Sequence, residues 1–261
     1  MAGSILVRDV LKRVSTDLGD ANPQFQRWKQ QELVNAINDG QRAIAKYLPL
    51  SCARTDSVQL VSGSRQSIAL VPAARIVNGD GTASRDVRGN MLQQVNCNMG
   101  VSGNTPGLTI ALVDGDALDA CSPGWRAPAR SGKKPVEYVF NIGTPQTFYV
   151  NPGVPAGDSV WVELTMLADP AAIPNLGSED YSATSSSGAL LSIDDKYIDD
   201  LHHYVMSRAH MKDAESQASS ELAALNSTMF TNSINAQAKS MTGTNPNLTL
   251  LPMRDQLSAS R

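Results

Sequence analysis

The sequence predicts an α+β protein in which long amphipathic helices form a helical bundle with an inserted antiparallel β-rich domain and an extended C-terminal tail. Apolar residues recur with helical spacing near both ends of the chain, they alternate with polar residues in a turn-rich middle, and prolines interrupt the C-terminal segment. We therefore divide the chain into N-terminal helices (1–54), a β-rich insert of sandwich or barrel type (55–170), a linker loop (171–192), a long bundle helix (193–240) and a C-terminal tail (241–261).

Two amphipathic helices are expected before residue 54. The first covers about 5–18 and is ended by Gly19, since its apolar stripe is Val7, Leu11, Val14 and Leu18. The second runs from about Trp28 to Leu48, before Pro49. Its apolar stripe is Leu33, Ile37, Ile44 and Leu48. Gly40 lies on the same face, where we expect another backbone to approach closely.

Short strands are expected between residues 55 and 168. Val58 and Leu60 alternate with polar residues, as do Ile68 and Leu70, and 62–64 lies between them, which predicts a β-hairpin. Further strands are expected at 110–113, 136–141, 147–150 and 160–166. The region 80–105 is rich in turn residues and is expected to be mostly loop, as is the polar linker 170–192.

A long helix is expected after a capping-box pattern at 192–195. Its stripe includes Tyr197, Leu201, Tyr204, Met211, Leu222 and Leu225. The spacing leaves open a break near 216–220 or 226–228. In the tail, apolar residues are too frequent for a solvated segment, which predicts that the tail docks on a partner.

Composition narrows the function. The chain has 261 residues, of which only 5% are aromatic. Its net charge of −3 argues against a strongly basic nucleic-acid-binding surface. Cys52, Cys97 and Cys121 are too scattered for a disulfide framework or a metal site, and they are expected to be free thiols. We see no secretion signal and no membrane-spanning run.

No catalytic pattern emerges, so we do not expect an enzyme or a cofactor. His202, His203 and His210 are expected to be solvated or interface residues rather than zinc ligands. Acidic residues at 194–200 suit a helix start, with a cation site as the alternative. The acidic segment 114–119 lacks the glycine and glutamate of a calcium loop and is expected to be a turn.

The densest positive stretch crosses a loop rich in proline and glycine. Its residues are Arg126, Arg130, Lys133 and Lys134. They form either a solvated loop or a contact with an acidic partner or passing nucleic acid. A nucleic-acid contact of this kind would be salt-dependent and independent of base sequence.

Four motifs in order resemble the head-to-tail adaptor proteins of tailed bacteriophages, similar to the tail tubular protein A type. They are Trp28…Glu32-Leu33…Ile37-Asn38-Asp39-Gly40-Gln41-Arg42…Ile44-Ala45; Leu118-Asp119-Ala120 with Pro123-Gly124-Trp125 and Tyr138-Val139-Phe140-Asn141; Pro145-Gln146-Thr147-Phe148-Tyr149-Val150-Asn151-Pro152; and Tyr197…Leu201…Tyr204…Arg208-Ala209…Lys212-Asp213-Ala214-Glu215. The set spans about 28–230.

The resemblance implies a structural virion protein, made in the host cytoplasm and located in the neck. It implies a twelve-copy ring below the portal that extends the DNA channel, lets genomic DNA pass without sequence-specific binding, and offers a platform for a downstream tail or nozzle protein. It assigns portal docking to the tail residues Leu248, Leu250, Leu251, Pro252, Met253 and Leu257. It assigns ring and bundle packing to Trp28, Leu33, Ile37, Ile44, Tyr197, Leu201, Tyr204, Arg208, Met211, Leu222 and Leu225. The alternatives are another neck or tail-completion protein, or a β-sandwich ligand-binding module.

Overall fold

The computed structural model describes residues 5–20, 25, 27–78, 86–126, 134–174, 189–212 and 216–244, with side chains described as far as residue 240. The chain divides into two compact units. The first is Cys52–Ala171, and the second combines Ala2–Ser51 with Ala172–Arg261. The second unit is therefore built from two stretches of chain that the first unit separates.

The first unit contains two β-sheets. The five-stranded sheet has the order β3-β1-β9-β4-β5 and is antiparallel throughout. The four-stranded sheet has the order β2-β8-β7-β6, and its β6–β7 pair is parallel. The strands are β1 (Ala53–Gln59), β2 (Gly63–Ser67), β3 (Ile76–Asn78), β4 (Gly89–Met99), β5 (Pro106–Thr109), β6 (Ala111–Leu112), β7 (Glu137–Phe140), β8 (Thr147–Val154) and β9 (Trp161–Ala168). A short helix, α3 (Gly115–Cys121), follows β6.

The two sheets share one hydrophobic core. Val162, Leu164 and Met166 are spaced two residues apart along β9, as a strand with one buried face requires, and all three are fully buried. They belong to the same core cluster as Phe148 and Val150 of β8. Fully burying one such side chain stabilises the fold by about 1.5–3 kcal/mol.

The helices of the second unit are α1 (Val7–Asp17), α2 (Gln30–Tyr47), α4 (Ile198–Lys212) and α5 (Gln217–Thr244). Helix α1 is followed by Gly19, whose φ of +70° is the left-handed conformation that glycine adopts without a steric cost. A 3-10 turn, Asp195–Tyr197, precedes α4, and the Asp194 side chain accepts a hydrogen bond from the Lys196 N–H. The N-terminal helices predicted at 5–18 and 28–48 are confirmed, apart from one or two residues at each end.

The predicted fold class is wrong. Long helices in a bundle do not dominate the molecule, since two substantial sheets bury a core of their own and one of them contains a parallel pair. The stretch predicted as one long helix at 193–240 contains two helices instead, since α4 ends at Lys212 and α5 begins at Gln217, close to the break that the sequence left open near 216–220. Helical spacing shows that a stretch can form helix, but not where the chain reverses.

The predicted hairpin around 62–64 is also wrong, because β1 and β2 lie in different sheets. Gln66, which is buried, explains the crossing. Its amide accepts a hydrogen bond from the Val61 N–H at 2.8 Å and donates to the Val61 and Gly63 carbonyls at 2.8 and 3.0 Å. These side-chain bonds replace the ladder that a hairpin would have formed.

The strands predicted at 110–113, 136–141, 147–150 and 160–166 are present, but β4 lies in the region expected to be loop. Gly89, Leu92, Val95 and Asn98 are buried at a spacing of three, with Met99 buried next to the last of them. Register shifts that interrupt the pairing of β4 with β9 account for this spacing. The segment 114–119 was expected to be a turn, but it begins α3. Asp114 caps that helix by accepting a hydrogen bond from the Asp116 N–H.

Candidate interaction surfaces

Helices α2 and α4 pack closely at Gly40. A β-carbon built there would lie 2.5 Å from Cδ1 of Leu201 and 3.0 Å from Cδ1 of Tyr204. The glycine therefore gives room to side chains of α4 rather than to a neighbouring backbone. Leu201 is fully buried as a result, and α4 is held against the middle of α2.

Trp28 fixes the end of the α2–α4 contact. Its indole Nε1 donates a hydrogen bond of 3.1 Å to the Ala209 carbonyl, and Lys212 lies 2.6 Å from the Glu32 carboxylate. A shallow groove of about 260 Å³ runs beside these residues, and the exposed Arg208 lies along it. Because Glu32 and Lys212 neutralise each other, the groove carries little net charge at this end.

Helices α4 and α5 form an antiparallel hairpin. The rings of Tyr204 and Phe230 meet edge to face with centroids 5.2 Å apart. Nδ1 of His203 lies 3.0 Å from Oδ1 of Asn226, and Gln237 donates a hydrogen bond of 2.7 Å to the buried Asp200 carboxylate. One face of α5 is thus packed against α4.

A second face of α5 carries large apolar side chains that remain exposed. Leu222, Leu225 and Met229 are spaced three and four apart and expose 44%, 52% and 46% of their surface. We call these three residues the apolar ridge. A contiguous exposed apolar surface is typical of a protein–protein contact.

The residues predicted for ring and bundle packing divide between buried and exposed positions. Those buried inside the second unit are Trp28, Leu33, Ile37, Ile44, Tyr197 and Leu201. Tyr204 is half-buried, and the exposed ones are Arg208, Met211, Leu222 and Leu225. Only this exposed group is available to a second molecule, and two of its members belong to the apolar ridge.

His202 lies where α4 meets the end of α1. Its Nε2 is 2.8 Å from Oδ2 of Asp17, and Arg13 forms an ion pair of 2.8 Å with Asp199 nearby. Burial lowers the pKa of His202, and the charge of Arg13 lowers it further, while Asp17 acts in the opposite sense. Burial therefore favours the neutral imidazole, and the surroundings of His202 are those of a packing residue.

The predicted basic segment is described at its two ends only. Arg126 stacks over Trp125 and Tyr149, with its guanidinium carbon 4.8 and 5.6 Å from the ring centroids, and lies 3.0 Å from Oδ2 of Asp119. Trp125 also donates a hydrogen bond of 2.7 Å to Asp119. Asp119 thus offsets the charge of Arg126, and Lys134 donates to the Met99 carbonyl at 3.4 Å.

Arg130 and Lys133 lie outside the described residues, as does the docking tail with Leu248, Leu250, Leu251, Pro252, Met253 and Leu257. Within the described ranges, no group of three or more metal-ligating side chains comes together. No helix that the structure describes is long and apolar enough to cross a membrane. Among the described residues, we consider three candidate surfaces: the apolar ridge, the Arg208 groove and the Arg126 cluster.

A family model described as "SU10 adaptor protein" matches residues 6–249. The chain belongs to the SU10 adaptor protein family. The match covers nearly the whole chain and confirms the phage-adaptor family inferred from the four motifs. It supports a structural role of this adaptor in tail attachment, in the virion neck, in association with phage portal and tail proteins. A comparison with curated proteins found no match.

The structure also identifies features of the adaptor that sequence reasoning missed. The Arg126 cluster brings together residues from α3, from the turn after it and from β8, which no local pattern links. The sequence signal for the exposed ridge is the lack of charge, since Glu221 and Lys239 are the only charged residues of α5. A solvated helix of this length ordinarily carries charges over its outer surface.

Proposed function

We propose that this adaptor forms a ring of twelve copies beneath the portal, extends the channel through which DNA passes, and holds the downstream tail component. Its role is structural rather than catalytic. The family match over residues 6–249 carries the proposal, and the exposed apolar ridge of α5 supports it, because a ring subunit needs surface for its neighbours.

The portal contact is assigned to the tail. Its apolar residues, Leu248, Leu250, Leu251, Pro252, Met253 and Leu257, follow directly after α5 ends at Thr244. A short segment with so many apolar residues suits insertion between the subunits of a partner. Genomic DNA passes through the ring without sequence-specific binding. The net charge of −3 suits such passage, because a negatively charged protein attracts DNA weakly.

The test is to mix the purified adaptor with the portal protein of the same phage and image the mixture by negative-stain electron microscopy. A second ring stacked coaxially on the portal is expected. Bare portals together with free adaptor would contradict the proposal and favour a later tail component or a ligand-binding module.

Deleting 242–261 tests the assignment of the tail. The truncated adaptor should keep the helical circular-dichroism signal of the intact chain but leave portals bare. Portals decorated as with the intact chain would remove the tail from the portal contact.

A further inference from the structure

We infer that the apolar ridge of α5 packs against a different face of α5 in a second copy of this chain, so that the ring closes through repeated α5–α5 contacts. The inference rests on the proposed ring and names the surface that forms it. Its starting point is that three long side chains are left outside the molecule on a helix that has already buried another face.

Helix α5 has three distinct faces. With about 100° between successive residues, the face packed on α4 centres on Ala223, Phe230 and Ile234, and the apolar ridge lies roughly 130° away from it. The remaining face carries short, exposed side chains at a spacing of three and four, and we call it the acceptor face. Its residues are Ala224, Thr228, Thr231 and Asn235.

The acceptor face is prepared for burial. The Thr228 hydroxyl donates to the Ala224 carbonyl and the Thr231 hydroxyl to the Ser227 carbonyl, each at 2.9 Å. Because these hydroxyls are already bonded within their own helix, an approaching apolar side chain would not strand them without a partner. Short side chains also leave a shallow surface into which the longer side chains of a ridge can fit.

The absence of charge on both exposed faces indicates which molecule covers the apolar ridge. The only charged residues of α5, Glu221 and Lys239, lie between the two exposed faces and leave the ridge and the acceptor face uncharged. An uncharged apolar ridge complements an uncharged shallow face, and this chain carries both on one helix. A second copy therefore supplies a matching surface, and Glu221 and Lys239 lie at its edge rather than on either face.

The geometry also explains why the contact would form a ring. The ridge and the acceptor face are different surfaces about 120° apart, so that the contact between copies is head to tail. One copy bound to another still leaves one free ridge and one free acceptor face. Only a closed ring covers them all, whereas a two-fold contact of ridge with ridge would stop at a dimer.

Cysteine cross-linking on the assembled portal–adaptor complex tests the pairing. The background replaces the exposed Cys121 by serine, and L225C and A224C are made separately. A mixture of the two variants, treated with a short bis-maleimide, should give adaptor dimers, and each variant alone should not. Dimers from L225C alone would indicate a two-fold ridge contact, and cross-links from L225C to the portal would indicate a portal site. Either result, or a mixture without dimers, would overturn the inference.

A charge variant gives a second readout. L225E should unfold at the temperature of the unaltered chain, since Leu225 is half exposed, but decorate portals about tenfold less often at equal concentration, because a carboxylate would be buried in each contact. L108E, at a 78% exposed leucine of β5, is the matched control and should decorate portals normally. Unaltered adaptor that leaves portals bare would refute the ring itself. Full rings of L225E would refute only the assignment of the contact to α5.

Discussion

Asn38 should be one of the most sensitive positions of the second unit, which contains α1, α2, α4 and α5 and is called the helical unit below, whereas the first unit is called the β unit. Its side-chain amide donates a 3.1 Å hydrogen bond to the Ile173 carbonyl and accepts a 2.8 Å bond from the Ile173 N–H. Asn38 is 9% exposed and Ile173 is 4% exposed, so water cannot readily replace either bond. The pair holds the returning chain against α2.

The substitution N38A leaves both backbone groups of Ile173 buried without a partner. Each unsatisfied group costs about 1–3 kcal/mol, while alanine regains about 0.5 kcal/mol of helix propensity. The free energy of unfolding should therefore fall by roughly 2–5 kcal/mol. N38D should be no better, because the carboxylate keeps an acceptor for the N–H but presents a buried negative oxygen to the carbonyl.

The assay is urea denaturation followed by circular dichroism at the helical minimum, which reports mainly on the helical unit. N35A is the matched control, since Asn35 lies one turn earlier on the exposed side of α2 and bonds only the Gln31 side chain at 2.9 Å. N35A should lie within about 0.5 kcal/mol of the unaltered chain. If N38A also does so, the paired bonds to Ile173 do not stabilise this unit as we argue.

Three further outcomes are expected. Burial lowers the pKa of His202 in the folded protein, so that the unfolded chain takes up this proton at a higher pH. The free energy of unfolding should therefore decline as the pH falls below about 6.5. In a plot of the urea midpoint against pH, H202Q should flatten this decline. G89A places a β-carbon 2.8 Å from the Ile68 carbonyl oxygen and should lower the free energy of unfolding of the β unit by about 1–3 kcal/mol. Q93A, at an exposed position of β4, is the control and should leave it unchanged. Equal thermal midpoints for G89A and Q93A would refute this prediction. Duplex DNA should bind weakly at physiological salt by fluorescence anisotropy, and a submicromolar dissociation constant would contradict a passive channel.

Local patterns predicted the elements whose burial follows a single regular period. Helix α1 fits this description, and so does the middle of β9, where the buried Val162, Leu164 and Met166 alternate with two half-buried residues. Strand β4 was missed because register shifts change its buried spacing from two to three, and the β1–β2 hairpin was wrong because a buried glutamine redirects the chain. The shifts in β4 depend on β9, which is distant in sequence and lies outside any short window. The bonds of Gln66 are local, but the alternation of apolar residues does not reveal them.

The candidate site shows the same limit. The sequence placed Leu222 and Leu225 on an apolar stripe, but periodicity does not say whether such a stripe is covered by its own chain or by another. The fold decides this, because α4 already occupies the adjacent face of α5. The Arg126 cluster depends likewise on Tyr149, a residue more than twenty positions away.

The two points at which the chain leaves and returns to the helical unit lie on neighbouring strands. Ala53, at the start of β1, is paired with Leu167, near the end of β9, and paired strands run about 4.8 Å apart. A short glycine-rich loop could therefore replace the whole β unit at little cost in loop-closure entropy. In evolutionary terms, such adjacent ends permit a β unit to be exchanged as a cassette, and we expect related adaptors to differ most in its size.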